Sequence, residues 1–138
     1  MAKQLTELEA KIKNRLETGF KNWNGGYQCW LKWCDELYEP DAHYNIQLGG
    51  PQRRLTLQEY KDMMGHFFDN FDVELGEFKN MLLVDDWCGI RYVVYVTNKK
   101  TGEKFTQNTM EFVHFKDNGG SIGARVIEGW ALSDLTLG

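Results

Sequence analysis

The sequence predicts an α+β fold in which a long antiparallel sheet curls over the helices that precede it. Two observations carry this. The second half of the chain reads as one β meander, with strands at Val73–Val84, Trp87–Asn98, Glu103–Lys116 and Ile122–Leu132. Turn residues separate them at Asp85-Asp86, Asn98–Gly102 and Asp117–Gly120. Ahead of the meander, three segments carry apolar residues at helical spacing. Helices first and sheet second gives a sheet folded over its own helices, and that shape is a container.

Each helix has its own signature. Leu5, Leu8, Ile12 and Leu16 recur at three- and four-residue steps, with Thr6 and Glu9 spaced as a capping box and Gly19 as a stop. The second segment, Tyr27–Tyr38, sets Trp30, Trp33, Cys34 and Leu37 on one face and ends before Pro40. The third opens at Thr56 with Glu59 three residues on. Its wide stripe of Leu57, Tyr60, Met63, Met64, Phe67, Phe68 and Phe71 is either core or a Met-aromatic surface for a flexible apolar ligand. Between helices two and three, Asp41–Gln47 holds a short strand-like stretch around Tyr44, and Gly49-Gly50-Pro51 marks a loop.

The strands are long, so they must twist and bend, and Gly76 and Gly89 mark places for bends or bulges. Alternation puts Trp87, Arg91, Val93 and Tyr95 on one face of their strand and Cys88, Ile90, Tyr92, Val94 and Val96 on the other. Both faces are largely apolar. Helices cover one; a second subunit covering the other would make a homodimer through the outer sheet face. On the next strand Gln107, Thr109, Glu111 and Val113 share a face. This polar series is either solvent-facing or the lining of a polar pocket.

Composition narrows the classes. The chain has 138 residues, read as a single domain over 1–138, with 26% charged and 42% hydrophobic residues. Aromatic residues reach 14%, with 5 Trp, 6 Tyr and 8 Phe, and large rings line ligand pockets as well as cores. A net charge of −4 argues against a nucleic-acid partner. No apolar run reaches membrane-spanning length, and the N-terminus does not read as a signal peptide. Cys29, Cys34 and Cys88 are odd in number and lack metal-ligand spacing, which points to reduced thiols and a cytoplasmic protein.

The order and spacing of these elements resemble the nuclear transport factor 2-like superfamily, nearest its SnoaL-like group. The stretches that carry the resemblance are Ala42–Ile46, Leu55–Glu59, Ile90–Val93, Phe112–Asp117 and Val126–Trp130. The resemblance implies a cone-shaped, cystatin-like α+β fold. A curved mixed or antiparallel sheet wraps around three N-terminal helices, with a pocket between the concave face and the helices. Relatives include ketosteroid isomerases, scytalone dehydratase, limonene epoxide hydrolase, polyketide cyclases and non-catalytic binding proteins, so the site must be argued residue by residue.

Two family chemistries lose their residues here. The epoxide hydrolases carry an Arg-x-Asp on a meander strand; this chain has Arg91 but Val93 in place of the Asp. Their water-holding Tyr matches Tyr44, but the Asn two residues on is Ile46. The SnoaL-like cyclases carry an Asp directly after the Trp of the last strand; here Trp130 is followed by Ala131. Their inward His falls by spacing near Glu111. Glu111 is therefore the candidate base, since a carboxyl in an apolar cone gains the raised pKa that carbon-acid chemistry needs. Arg91 is the candidate electrophilic partner and Tyr44 a hydrogen-bond donor. A five-residue turn at Asn98–Gly102 puts Arg91 and Glu111 on one face; a four-residue turn puts Met110 beside Arg91 instead. Candidate ligand-lining residues are Trp23, Tyr38, Met63, Phe67, Val93, Thr109 and Ala131. No metal or cofactor is expected.

Of the histidines, His43 is a loop residue pointing away from Tyr44, and His66 shares a polar helix face with Asp62. His114 packs outside the cone or at a subunit interface. The resulting expectation is a small-molecule pocket protein with cofactor-free isomerase, cyclase or dehydratase chemistry on an apolar, ring-containing carbonyl compound. The alternative is a binding or interaction module of the same fold.

Overall fold

The computed structural model describes residues 4–19, 24–47, 50–119 and 123–134. Helix α1 spans Glu7–Gly19, α2 Tyr27–Leu37 and α3 Leu57–Asn70. The strands are β1 Tyr38–Gln47, β2 Arg53–Thr56, β3 Phe71–Val84, β4 Trp87–Asn98, β5 Lys104–Asp117 and β6 Ala124–Ser133. They form one curved, unclosed mixed sheet in the order β2-β1-β6-β5-β4-β3. This is the expected α+β architecture. Its one parallel contact joins β1 to β6, with Tyr44 opposite Gly129 and Ile46 opposite Ala131.

Both expected capping boxes form. Thr56 Oγ1 accepts from the Glu59 amide, and Glu59 returns a bond to the Thr56 amide. At α1, Glu9 Oε1 accepts from the Thr6 amide at 2.9 Å and Thr6 Oγ1 from the Glu9 amide at 3.1 Å. Glu9 does more than cap. It is 1% exposed, and its Oε2 accepts from the Asp85 amide at 2.8 Å. Asp85 takes φ 54°, the left-handed region, in the β3–β4 turn. The buried carboxylate thus ties the first helix to a turn 76 residues away in the chain.

The second helix stops one residue earlier than its pattern suggests. Tyr38 already has extended backbone, its amide closing on the Cys34 carbonyl, and Pro40 lies inside β1. Strand β2 was not expected; it pairs with the second half of β1 from His43↔Thr56 to Ile46↔Arg53. The bulge expected near Gly76 is present as register shifts between Leu75 and Asn80. A Cβ there would lie 2.9 Å from the Tyr95 ring and from the Val93 carbonyl. Gly89 instead pairs regularly with Leu82 and Phe112.

The helices cover the concave face. Trp30, Tyr60, Met64 and Phe68 meet Tyr44, Ile90, Tyr92, Val94 and Val113 from the sheet in one apolar core. The opposite face is open in the single chain. Leu82, Val84, Trp87, Met110, Phe112 and Leu132 are all exposed there, Leu82 at 70% and Phe112 at 62%.

Candidate functional site

The β4–β5 register decides the site. Arg91 pairs with Met110, and Ile90 with Glu111. The four-residue alternative is therefore the one realised, and the expected Arg91–Glu111 pair does not exist. Arg91 lies on the outer face, exposed, with its Nε donating to Asn80 Oδ1 at 2.9 Å. The turn shows why. The Asn98 carboxamide oxygen accepts from the amides of Lys100 and Thr101, and Gly102 takes φ 74°, so the chain reverses within residues 99–102.

Glu111 points inward and is 7% exposed. Its Oε1 accepts from the Tyr44 hydroxyl at 2.9 Å and from the Tyr92 hydroxyl. Burial raises the Glu111 pKa above the ordinary glutamate value, and the two phenol donors partly offset the rise. The phenols respond in kind. Tyr44, Tyr60 and Tyr92 are pushed well above the usual tyrosine range, first by burial and then by the Glu111 charge. Tyr60 stacks on Tyr44 with ring centroids 4.0 Å apart, which fixes the angle at which Tyr44 reaches the carboxyl.

Above this group lies a cavity of about 310 Å³, within the range of small-molecule sites. Tyr44, Tyr60, Tyr92, Thr109 and Ser133 line its floor. Met63, Met64, Phe67, Val73 and Val94 form the walls, and His66, Asn70 and Gln107 also border it. Among the described residues no Asp, Glu, Lys or Arg lines it. Glu111 sits just behind the lining, reached through the two hydroxyls. Thr109 Oγ1 and Ser133 Oγ are 2.9 Å apart and bonded to each other.

The sequence-derived candidates divide cleanly. Tyr44, Met63, Phe67 and Thr109 line the cavity. Ala131 is on the inner face directly opposite Glu111, but outside the lining. Tyr38 is buried against Trp33 and Tyr60 in the core and does not line the cavity. Val93 is on the outer face, opposite Asn108, because it alternates with Tyr92; it too is excluded. Trp23 lies outside the described residues. Tyr92 and Ser133 were missed, while Gln107 and Tyr60 entered only as members of the polar β5 series and the α3 stripe. The alternation already placed Tyr92 opposite Arg91, so choosing the four-residue turn would have found it.

His114 is on the outer face, stacked 4.1 Å from Trp87, with Nε2 2.8 Å from Asp86 Oδ2. Asp134 is used structurally, accepting from the Asn108 amide and side chain. Burial pushes the Cys34 and Cys88 thiols up to about 12, which makes both poor nucleophiles. Among the described residues no helix is long and apolar enough to cross a membrane, and no group of His, Cys, Asp and Glu is placed to hold a metal.

No protein-family model and no curated protein matches the sequence. Solved structures do resemble it. The candidate hydroxylase AclR from Streptomyces galilaeus superposes with a TM-score of 0.75 at 19% identity, covering 93% of this chain and 81% of its own. A candidate SnoaL-like polyketide cyclase from Jannaschia sp. CCS1 gives 0.77 at 12% identity, with 96% and 92% covered. IdmH, a candidate polyketide cyclase from Streptomyces antibioticus, gives 0.69 at 18% identity, with 94% and 93% covered. The fold is that of these SnoaL-like polyketide cyclase structures.

Proposed function

We propose that this SnoaL-like chain binds a neutral, ring-containing carbonyl compound and carries out cofactor-free proton transfer on it, of the isomerase, cyclase or dehydratase kind. The observation behind the proposal is the buried carboxyl of Glu111, bonded to two phenols that line a cavity bordered, among the described residues, by no Asp, Glu, Lys or Arg. A carboxylate without a cationic partner, in apolar surroundings, is a stronger base than one in water. Since Glu111 lies behind the lining, it acts through the hydroxyls. The Tyr44 or Tyr92 oxygen takes the carbon-bound proton as its own proton passes to Glu111. The other phenol, no longer held by a full carboxylate charge, turns to the developing enolate oxygen. That phenol thereby takes the role first assigned to Arg91. Structural neighbours named as candidate polyketide cyclases agree with a cyclase-type role.

The test is deuterium exchange at the α-carbon of 2-tetralone, followed by proton NMR. The wild type should accelerate exchange and Glu111→Gln should lose at least tenfold of that acceleration. Equal exchange by the two proteins would remove Glu111 from the chemistry. One observation favours a second reading, ligand binding without turnover: among the described residues no carboxylate is open to the cavity. Tight binding of 2-tetralone with no accelerated exchange would select it.

The outer sheet face supports a homodimer. Six large apolar side chains exposed on one surface are more than a soluble monomer normally leaves in water, and a second copy would cover them. Free cysteines, two of them buried, fit the reducing cytoplasm that we assign as its compartment.

A further inference from the structure

The floor of the cavity would engage only one end of a ligand. Strand β5 runs the length of the site, with Glu111, Thr109 and Gln107 at successive inward positions. At about 3.3 Å per residue, Gln107 stands roughly 13 Å from Glu111 along the strand. Val94 of β4 is its cross-strand neighbour. On the other side the described pairing of β6 with β5 runs as far as Thr109↔Ser133. The Gln107 side chain is half-buried, lines the cavity and has no hydrogen-bond partner among the described residues. Asn70, which also lines the cavity, differs, since its amide nitrogen donates to the His66 carbonyl at 2.8 Å. A half-buried carboxamide that the protein leaves unpaired is a recognition group, because its donor and acceptor remain available to a bound molecule.

We propose that Gln107 is the specificity determinant of the cavity. It selects neutral ring compounds that carry a second hydrogen-bonding group at the end remote from the reacting carbonyl. Among the described residues the lining holds no Lys or Arg to balance a carboxylate or phosphate, only the imidazole of His66, and the buried Glu111 carboxylate would repel an anion. Charge therefore discriminates against anionic ligands, and the amide discriminates among neutral ones. This inference rests on the assignment of the tyrosine–Glu111 floor as the carbonyl end.

Three probes separate the two claims: 2-tetralone, 6-hydroxy-2-tetralone and 2-tetralone-6-carboxylate, with affinities read from tryptophan fluorescence. The hydroxyl should tighten binding roughly 2- to 10-fold, the value of one net hydrogen bond, and the carboxylate should weaken it at least tenfold. Gln107→Met, close in volume, should abolish the hydroxyl's advantage, read as the ratio of the two neutral ketones' affinities, with the unliganded melting temperature confirming the fold. Gln107→Lys should bring the carboxylate probe into the site. Tyr92→Phe should weaken both neutral ketones alike. An unchanged hydroxyl preference in Gln107→Met, with Tyr92→Phe behaving as stated, would overturn the role of Gln107 alone. Failure of the wild type to bind either neutral ketone would overturn both claims.

Discussion

Tyr92 and Glu111 meet diagonally across two strands. Tyr92 is paired with Thr109, and Glu111 with Ile90, yet the Tyr92 hydroxyl reaches past its own partner to donate to the Glu111 carboxylate. Diagonal neighbours on one sheet face lie close enough for a long aromatic side chain to span the gap. The bond therefore depends on the strand register as much as on the residues.

Removing that bond should move a titration. The phenol favours the charged form of Glu111, so Tyr92→Phe should raise the carboxyl's pKa further above its ordinary value. The pH profile of α-deuterium exchange should shift upward by a measurable step, with Tyr44→Phe moving it the same way. A profile that stays in place would show that the hydroxyl does not reach the ionised carboxylate in solution.

Glu111 should also lower the stability of the fold as pH rises. Its folded pKa lies above its unfolded value, so the native state holds the proton more tightly than the unfolded chain does. The stability this provides is complete below the unfolded value and is lost as pH climbs through the folded one. Urea titrations from pH 4.5 upward should show the wild type losing stability relative to Glu111→Gln. Carboxylates held below their usual range, such as Glu128 beside Arg54 and Asp86 beside His114, cancel in that difference. Parallel curves for the two proteins would contradict the burial of an ionisable group at this position.

Glu9→Ala should cost about 2 kcal/mol or more in chemical denaturation. It removes a helix cap worth roughly 1 kcal/mol and leaves the Asp85 amide in the strained turn without its acceptor. Glu7→Ala, an exposed neighbour in the same turn, should change stability by less than about 0.5 kcal/mol.

The outer face predicts an assembly state. Wild-type protein at micromolar concentration should sediment as a dimer, and Phe112→Lys should sediment as a monomer of unchanged secondary structure. A monomeric wild type would leave the exposed row of Leu82, Phe112 and Leu132 without the partner assigned to it.

The sequence made the four-strand meander, the helical faces and both capping boxes legible, because period and capping chemistry are local. The inward face of β5 was legible for the same reason. Which face of β4 joined it was not, because that depends on a one-residue difference in loop length that reverses every side chain. The error sent attention to Arg91 and Val93 and away from Tyr92. Asn98 and Gly102 held the answer, as an oxygen able to accept from following amides and a residue able to take positive φ. Strand β2 was illegible for a different reason: Arg53-Arg54-Leu55-Thr56 is too short to show a period, and only its pairing with β1 makes it a strand.

The parallel contact of β1 with β6 has a consequence for how the chain is made. Tyr44 finds Gly129 only after β6 has been synthesised, so the early helices and the short β1–β2 pair leave the ribosome before the rest of the sheet exists. Until the last strand arrives, Trp30, Tyr44 and Tyr60 are surfaces that a chaperone would recognise. Closing so long a loop should make this a slow step of folding. A truncation removing β6 should therefore deplete the soluble protein in cells far more than its ten residues suggest.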